Sequence, residues 1–392
     1  MDTAIVAALV IFALTYYGIV NKKIHRTIAA MSGAVGMLML GHGMGFYDPA
    51  TAIEYIDFNT IGLLLGMMIL VGLLGETGFF RFLAIKTAKM SKGSYYRLLA
   101  LFVLVTAFTS AFLDNVTTVL LMAPVTITIA REIDINPVPF LMAEVISSNI
   151  GGTMTLIGDP PNIMIGSAAN LNFNQFIIYL APIVIIVLFT VLLIFEIIFK
   201  DIIEKDMENF KKIIKMDEWD SITNKPLLYK SVMVLMITFI LFTVHHHFGI
   251  EPWLVAITGA SLLLLISLPD PEEALEHVHW TTLLFFAGLF IVIGGLDQAG
   301  FIDMLANWIG YASAGNLVLA LFIVLMVSGL FGMTVGNIPA AITLIPAVEV
   351  FIEQSQLFAG YPINPLWWAL SLGASFGGNG TLISAPANLI VA

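Results

Sequence analysis

The sequence predicts an all-α polytopic membrane protein made of two inverted repeats, each with a re-entrant helical hairpin and a broken transmembrane helix. Three observations predict this fold class. Of the 392 residues, 59% are hydrophobic and 11% are charged, whereas about a quarter of a soluble domain is charged. Motifs of the first half recur at a nearly constant offset in the second half. Segments rich in Gly, Pro and Asn interrupt apolar stretches at corresponding places in both halves.

The composition excludes several classes of protein. So apolar a chain is not a soluble enzyme, a disordered protein or a nucleic-acid-binding protein with a basic surface. The absence of cysteine excludes disulfides, thiolate metal ligands and a cysteine nucleophile. The net charge is −11, but in a membrane protein the positions of Lys and Arg carry more information than the total. We therefore expect a lipid bilayer, and no nucleic acid, among the partners.

Apolar stretches long enough for membrane segments follow one another along the chain. They cover residues 4–20, 27–46, 59–75, 98–130, 138–158, 174–199, 228–244, 252–268, 281–296, 316–350 and 366–392. The basic cluster Lys22, Lys23 and Arg26 follows the first stretch, and basic residues concentrate on the cytoplasmic side of membrane segments. We expect a multi-pass protein of the plasma membrane with its N-terminus outside.

Two further basic segments, 81–97 and 200–230, indicate the topology of the first half. If both are cytoplasmic, an even number of crossings must separate them. The two later apolar stretches supply two crossings, so the stretch 98–130 must enter and leave on the same side. Its arms around Asp114-Asn115 have about 16 residues each, which is shorter than a comfortable span of about 20. We therefore predict a re-entrant hairpin over 98–130.

An internal repeat relates the two halves of the chain. The string DPATAIEYIDFNT at 48–60 corresponds to DPEEALEHVHWTT at 270–282. Further on, SSNIGGTMTLIGDPPNI at 147–163 corresponds to GASFGGNGTLISAPANL at 373–389. Five crossings precede residue 199, and because five is odd we expect the second copy to be inverted relative to the first.

The repeat divides the chain into three segments. These are a first repeat at 1–199 with hairpin 98–130 and broken helix 138–162, a cytoplasmic linker at 200–227, and a second, inverted repeat at 228–392 with hairpin 316–350 and broken helix 366–392. The second copy stops before the counterpart of the last span of the first copy. We therefore expect about 30 residues, one more span, to be absent from it.

The interruptions of the apolar stretches combine helix-breaking residues with polar ones at membrane depth. Irregular backbone in the hydrocarbon is tolerated only where it is buried in protein or lines a cavity. Broken helices at matching places in two inverted halves are typical of a transporter's binding site. The alternative is tight packing, since small residues let membrane helices approach closely. The pairing of the breaks by the repeat favours a binding site.

Two carboxylates, Asp114 and Asp159, lie within these interruptions. A carboxylate at the bilayer centre costs a few kcal/mol, which makes it a functional candidate. Their counterparts Gly336 and Ala385 carry no charge, so the fold does not require a carboxylate at either place. Asp114 could instead only cap the second arm of the hairpin. Glu144 either faces the site or pairs with an Asn, and it is a third candidate for proton or ion coupling.

Lys and Arg are absent from the predicted spans, apart from Lys230 at the start of 228–244. An anionic substrate would then be neutralised only by helix N-termini and co-transported cations. Two acidic residues without a basic partner better suit Na⁺, H⁺ or a neutral hydroxylated solute. We expect no cofactor, no metal other than Na⁺, and a coupling ion that is H⁺ or Na⁺.

The strings SAFLDNVTTVLLMAPVTI (110–127) and AEVISSNIGGTMTLIGDPPNIMIGSA (143–168) resemble the ion transporter superfamily, which includes arsenical pump permeases (ArsB), NhaD-type sodium–proton antiporters and the melanosomal P protein. They look closest to the P-protein branch. The resemblance implies a scaffold domain, a mobile transport domain with two re-entrant hairpins, an elevator-type motion and a homodimer. It also implies that hairpin tips and broken helices hold ions and substrate. The residues carried over by motif are Asp114, Asn115, Thr117, Thr118, Asn149, Gly151, Gly152, Thr153, Thr155, Asp159, Asn162, Asn337, Gly377, Asn379, Thr381 and Asn388.

The favoured function is a secondary active transporter, not an enzyme, that moves a small inorganic solute coupled to H⁺ or Na⁺. Arsenite is the favoured solute, because it is a neutral acid at pH 7 and needs no basic residue. The alternative is a sodium–proton antiporter in which the two aspartates bind Na⁺ and H⁺ in competition. Two other classes are a passive channel and an intramembrane aspartyl protease with Asp114 and Asp159 as a dyad. The protease is disfavoured because no GxGD motif surrounds either residue.

Overall fold

The computed structural model describes residues 3–21, 23–200, 210–355, 361 and 364–392. The described residues form helices and no β-strand, which confirms the all-α class. In chain order the α-helices are α1 (Thr3–Val20), α2 (Arg26–Met44), α3 (Pro49–Glu54), α4 (Phe58–Glu76), α5 (Phe79–Met90), α6 (Tyr95–Leu113), α7 (Asn115–Glu132), α8 (Val138–Gly152), α9 (Pro160–Ala168), α10 (Phe173–Tyr179), α11 (Ala181–Ile198), α12 (Phe210–Lys215), α13 (Lys225–Val244), α14 (Pro252–Ser267), α15 (Pro271–Glu276), α16 (Trp280–Gln298), α17 (Phe301–Ser313), α18 (Leu317–Val335), α19 (Asn337–Gln354), α20 (Pro365–Gly377) and α21 (Pro386–Val391).

Within the described part of the chain, eight helices are long and apolar enough to cross a membrane. They are α1, α2, α4, α6, α11, α13 with the 3₁₀ turn that follows it, α16 and α18. Their outer faces carry many exposed large apolar side chains, as expected for helices that face lipid. The protein is therefore a polytopic membrane protein. Lys22 and part of the predicted linker, 201–209 with its Lys205, lie outside the described residues.

The predicted hairpins are present as two pairs of helices of equal size. The arms α6 and α7 have 19 and 18 residues, and so do α18 and α19. Each arm is therefore about 27–28 Å long. The predicted arm length of about 16 residues is wrong, because the helices continue into polar residues such as Tyr95–Arg97 and Arg131-Glu132 that an apolar count leaves out. Re-entry from one side thus depends on the charge distribution alone and stays a prediction.

The same local signals start equivalent helices in the two halves. Ser94 accepts a hydrogen bond from the backbone N–H of Arg97 at the start of α6, and Asn316 accepts one from Leu319 at the start of α18. Asp48 and Asp270 likewise cap α3 and α15 and are each followed by proline, which suits the first position of a helix. The element order of the first half therefore recurs in the second half.

Each hairpin turns at a single residue with an unusual backbone. Asp114 has φ 70° and ψ 150°, and its counterpart Gly336 has φ 120° and ψ 150°. This combination of angles lies outside the left-handed helical region and is adopted almost only by glycine; it costs another residue about 1–3 kcal/mol. The geometry of the tip thus explains why glycine occupies this position in the second repeat.

The contacts between helices divide the chain into two compact units that do not coincide with the two repeats. Each unit combines the opening helices of one repeat with later helices of the other. Unit 1 contains Met1–Ile61, Ile163–Leu171 and His279–Ser384, and unit 2 contains Gly62–Asn162, Asn172–Val278 and Ala385–Ala392. In unit 1, α2 packs against α1 and α16, and α18 packs against α20. In unit 2, α6 packs against α8, and α13 packs against α14.

Equivalent contacts occur in the two units with the roles of the repeats exchanged. In unit 1 the hydroxyl of Tyr55 accepts a hydrogen bond from Gln298 Nε2 at 2.9 Å. In unit 2 His277 Nε2 lies 2.5 Å from Glu76 Oε1. Tyr55 corresponds to His277, and Glu76 corresponds to Gln298, by the offset of the sequence repeat. In each unit, a side chain from one repeat therefore contacts the equivalent position of the other repeat.

The two basic segments that indicated the topology contact each other within unit 2. Lys89 Nζ lies 2.5 Å from Glu218 Oε2, and Thr223 donates its hydroxyl to the backbone oxygen of Glu76 at 2.8 Å. The hydrogen bond from Lys89 holds the pKa of the Glu218 carboxyl below its usual range. The contact between Lys89 and Glu218 supports the prediction that the two basic segments lie on the same side of the membrane.

Candidate functional site

Four polar side chains of unit 2 form one continuous hydrogen-bonded chain, which we call the polar quartet. Asn115 Nδ2 donates to Asn149 Oδ1 at 2.9 Å and to Asp159 Oδ1 at 3.2 Å. Asn149 Nδ2 in turn donates to Asn388 Oδ1 at 3.0 Å. All four side chains are buried, and Asp159 and Asn149 are completely inaccessible to solvent. The quartet joins both broken helices to the tip of the first hairpin.

The interruptions of the helices place these side chains together. Asn115 is the first residue of α7, immediately after the turn at Asp114. Asn149 lies in the last turn of α8, and Asp159 immediately precedes α9, which begins at a Pro-Pro pair. Asn388 lies in the short helix α21 of the second repeat, which packs against α7 and α8. Each member thus lies at or near the end of a helix. The interruptions of the helices allow these side chains to face one another.

The quartet presents oxygen atoms in an interior that excludes water. A buried carboxylate is costly unless it is paired or hydrogen-bonded, and the neutral amide of Asn115 donates to Asp159. Asn115 Oδ1 and Thr118 Oγ1 are buried and have no hydrogen-bond partner among the described residues. No Lys or Arg of the sequence falls between Arg97 and Arg131 or between Arg131 and Lys200. A carboxylate with neutral oxygen ligands suits a small cation or a proton.

Asp114 uses its carboxylate as a helix cap. Its Oδ1 accepts from the backbone N–H of Val116 at 2.8 Å and of Thr117 at 3.1 Å. Capping of the second hairpin arm was one of the two roles predicted for Asp114, and the structure confirms it. The other role, ion coupling, stays a prediction. Thr117, also a candidate, is nearly buried and contributes its backbone N–H to this cap.

Three further candidates hold the loop between α8 and α9. Asn162 Nδ2 donates to the backbone oxygens of Thr153 at 3.0 Å and Thr155 at 2.8 Å. The hydroxyl of Thr153 donates to the backbone oxygen of Asn149, and that of Thr155 to the backbone oxygen of Ala111. These bonds satisfy carbonyl groups near the ends of α6 and α8 and in the loop after α8, which lack helical partners. They therefore have a structural role.

The candidate glycines lie where backbones approach each other. A Cβ on Gly151 would collide with the backbone of Ala107, and one on Gly152 with the carbonyl of Gly158. A Cβ on Gly377 would collide with the backbone of Gly329 and Gly332. The structure thus supports close packing at these positions, which was the alternative to a ligand role.

The candidates of the second repeat other than Asn388 lie in unit 1. The backbone N–H of Asn337 donates to the oxygen of Ser384 at 2.8 Å, and its Oδ1 accepts from the N–H of Ile338. Thr381 donates its hydroxyl to the backbone oxygen of Met333 at 2.9 Å. Asn379 lies half-buried in the loop after α20, and its N–H donates to the oxygen of Phe376. These residues stabilise the second hairpin tip and the loop beside it.

Two residues that contact the candidates were not among them. Ser384 donates its hydroxyl to the backbone oxygen of Gly378 at 2.6 Å and so closes the loop beside Asn337. Thr126 donates to Glu144 Oε1 at 2.5 Å. Glu144 was predicted either to face the site or to pair with an Asn. Its partner is a threonine, so the predicted pairing with an Asn is wrong. Only the position of Ser384 between Thr381 and Ala385 could have pointed to it. Nothing in the local sequence links Thr126 to Glu144.

No group of three or more His, Asp or Glu side chains that could hold a metal ion occurs among the described residues. The expectation of no metal other than Na⁺ stays a prediction. The quartet contributes one carboxylate and amide oxygens. This set of ligands suits a monovalent cation better than a set of several carboxylates would.

Comparisons with known proteins agree with a transporter. A sequence profile described as the citrate transporter, CitMHS, matches residues 8–373. A protein of Mycobacterium tuberculosis named an uncharacterized transporter is 42% identical over 98% of this chain and 89% of its own length. The 46 kDa membrane protein of Mycobacterium leprae is 42% identical over 98% of this chain and 90% of its own length. The P protein of Homo sapiens is 31% identical over 100% of this chain and 56% of its own length.

The match covers nearly all of the described helices, including both hairpins and the first broken helix. It therefore extends across both repeats and does not depend on one motif. The chain belongs to the CitMHS citrate transporter family, within the ion transporter superfamily, and is a multi-pass membrane transporter.

Proposed function

We propose that this transporter is a secondary active transporter whose coupling cation, Na⁺ or H⁺, binds at the polar quartet. One observation carries the proposal: the buried carboxylate of Asp159 is linked through Asn115 and Asn149 to Asn388 of the other repeat. A site that draws ligands from both repeats can sense a movement of either one. Coupling requires such a dependence of ion affinity on conformation.

The chemistry of the quartet favours a cation over an anion. Asp159 supplies the negative charge, and Asn115 Oδ1 and Thr118 Oγ1 supply buried oxygens that have no hydrogen-bond partner among the described residues. Unwound helices and hairpin tips supply carbonyl ligands for Na⁺ in transporters of this general architecture. A proton can occupy the same carboxylate in place of Na⁺, so the two ions would compete.

The nature of the solute follows from the lack of basic side chains. The family description names citrate. Citrate carries several negative charges at pH 7, so it would have to enter together with cations to suit this site. Arsenite is neutral at pH 7 and would need none. We propose that the solute is small and enters either neutral or neutralised by cations.

We further propose that the repeats are inverted and that the protein works by an elevator-type motion as a homodimer of the plasma membrane. The exchanged contacts Tyr55–Gln298 and His277–Glu76 support a two-fold relation between the repeats. The contact of Lys89 with Glu218 supports the placement of both basic segments on one side, which we assign to the cytoplasm. The elevator motion and the dimer come from the family resemblance.

Reconstitution into proteoliposomes tests the proposed function. We expect a Na⁺ gradient or a pH gradient to drive accumulation of a solute from a panel of arsenite, citrate and chloride, and Asp159→Asn to abolish it. Glu273→Gln, on the exposed surface of α15, is the control and should transport like the wild type. Solute that equilibrates without accumulation under either gradient would indicate a passive channel and would contradict the proposal.

The sodium–proton antiporter is distinguished in the same vesicles. An antiporter would move H⁺ in response to Na⁺ with no other solute present. The aspartyl protease finds no support in the family, which is described as a citrate transporter, or in the relatives named as transporters. In the described structure Asp114 accepts from the backbone of α7, while Asp159 accepts from Asn115.

A further inference from the structure

Glu144 is a carboxyl group buried between two helices of the first repeat, apart from the polar quartet's hydrogen bonds. It lies in the middle of α8 and has no solvent-accessible surface. Its Oε1 accepts the hydroxyl of Thr126, which lies on the hairpin arm α7, at 2.5 Å. Its Oε2 is buried and has no hydrogen-bond partner among the described residues.

On α8, Glu144 has buried apolar residues on one side and Ser147, whose hydroxyl donates to the Glu144 backbone oxygen and not to its carboxyl group, on the other. Its helical neighbours Leu141 and Val145 belong to a buried cluster that joins α8 to α7 and to α21. Val119 and Ala123 of α7 and Ala387 of α21 complete this cluster. The cluster offers no polar group that could solvate a charge.

No charged group in the described structure is paired with Glu144. The helices that pack against α8 are α6, α7, α11 and α21. Their titratable residues, with the cap of α7, are Tyr95, Tyr96, Arg97, Asp114, Arg131, Glu132 and Glu196. Among the described residues, the Glu144 carboxyl accepts one hydrogen bond, from Thr126, and forms no ion pair. An isolated ionised carboxylate in such a place costs far more than the neutral acid, so Glu144 is protonated in this conformation.

The second repeat shows that the fold does not need this pair. By the offsets of the repeat, Thr126 corresponds to Val348 and Glu144 to Leu370. Both counterparts are buried, Val348 in α19 and Leu370 in α20. An apolar pair therefore fills the equivalent place between the second hairpin and the second broken helix. The polar pair of the first repeat must serve a purpose other than packing.

We propose that Glu144 is a proton-binding site that couples transport to H⁺, separate from the cation bound at the polar quartet. The Thr126–Glu144 hydrogen bond joins the hairpin arm to the broken helix. Movement of the hairpin breaks this bond and admits water, whereupon the carboxyl O–H bond breaks and its proton passes to water. Return of the hairpin to the apolar contact requires the carboxylate to take a proton up again. This proposal rests on the proposed transport function, because it supplies the proton half of the coupling.

Infrared spectroscopy tests the protonation state without any transport. The wild-type protein should show the C=O stretching band of a protonated carboxyl near neutral pH, and Glu144→Gln should lack it. Thr126→Val should keep the band and shift its frequency, because the carbonyl oxygen loses its hydrogen bond. A wild-type spectrum that Glu144→Gln leaves unchanged would overturn the proposal.

Proton flux in proteoliposomes tests the coupling. The double variant Thr126→Val/Glu144→Leu installs the residues of the second repeat, and Glu144→Gln serves as a second variant in case the double variant does not fold. We expect Na⁺-driven H⁺ movement, followed with an internal pH dye, to fall at least about tenfold in both, as for loss of an intramembrane proton relay. Equilibrium binding of ²²Na⁺ should be unchanged, and Glu273→Gln should behave like the wild type.

The outcomes separate this proposal from the proposed function. No Na⁺ binding by the wild type, with the infrared band present, would contradict the quartet's role and leave Glu144 protonated as inferred. Unchanged H⁺ movement in Glu144→Gln, or no H⁺ movement in the wild type, would overturn Glu144 as a coupling site. Loss of Na⁺ binding in Glu144→Gln would also overturn it, because Glu144 would then belong to the cation site.

Discussion

The side-chain amide of Asn149 donates to the side-chain oxygen of Asn388 at 3.0 Å, and this bond joins the first repeat to the second. By the repeat, Asn388 corresponds to Asn162, which uses its own amide to hold the loop after α8. Equivalent asparagines therefore have different partners. The first repeat keeps one for its own backbone, and the second contributes one to the other repeat's site.

Loss of Asn388 should weaken cation binding more than it weakens the fold. Asn388→Ala leaves the buried Nδ2 of Asn149 without this acceptor, which costs about 1–3 kcal/mol and frees Asn149 to turn away from Asn115. We expect a clear rise in the Kd for Na⁺, measured by ²²Na⁺ binding. Asn174→Ala is the control, since Asn174 is exposed and its side-chain amide donates to the backbone oxygen of Thr243 at the end of α13. An equal Kd in both variants would contradict a role for Asn388 in the site.

Two substitutions at the hairpin tip distinguish the capping role of Asp114 from the role of its charge. Asp114→Ala removes two hydrogen bonds to the start of α7, so it should lower stability by about 1 kcal/mol or more. Asp114→Asn keeps an acceptor for the cap and has nearly the same shape, so it should unfold close to the wild type. Thermal unfolding in detergent measures both. Equal melting temperatures for the two variants would show that the cap contributes nothing.

Gly151 should tolerate no side chain. A Cβ there would collide with the backbone of Ala107, and overpacking of this kind costs about 1–3 kcal/mol. Gly151→Ala should therefore lower the melting temperature. Gly43→Ala is the matched control, because a Cβ on this helical glycine meets no atom within 4 Å. A Gly151→Ala protein as stable as the control but impaired in Na⁺ binding would favour the ligand role over close packing.

The inverted repeat can be tested at two equivalent exposed positions. Arg81 and Asp303 are exposed residues of α5 and α17 and correspond by the repeat. The chain contains no cysteine, so Arg81→Cys and Asp303→Cys each provide a single thiol. An impermeant thiol reagent applied from outside the cell should label Asp303→Cys only, and applied to inverted vesicles it should label Arg81→Cys only. Labelling of both from one side would contradict inversion.

The places of the two hairpins could be predicted from the sequence, because each is a long apolar stretch interrupted by a short polar segment. The hairpin predicted at 98–130 is formed by α6 and α7, and the one at 316–350 by α18 and α19. The arm lengths could not be predicted from apolar content, since a helix continues through polar residues once it is capped. Re-entry from one side therefore has no support from arm length.

The four members of the quartet could be named from the sequence, but they could not be separated from their neighbours. Asn149, Asp159 and Asn162 have the same chemistry and lie in one motif. Whether an amide faces a site or a backbone carbonyl depends on tertiary contacts such as the packing of α21 against α7 and α8. For the same reason the pairing of Glu144 with Thr126, which joins two helices, could not be predicted from the local sequence.

Equilibrium Na⁺ binding by the wild type and by Asp159→Asn, measured with ²²Na⁺ across a range of pH, tests the central claim most directly. A proton and Na⁺ compete for the Asp159 carboxylate, so the wild-type affinity for Na⁺ should fall as the pH is lowered. Asp159→Asn is nearly isosteric and should fold, yet it should bind Na⁺ weakly and show no such dependence on pH. Binding of Na⁺ by Asp159→Asn with the affinity and pH dependence of the wild type would contradict the assignment of the polar quartet as the cation site.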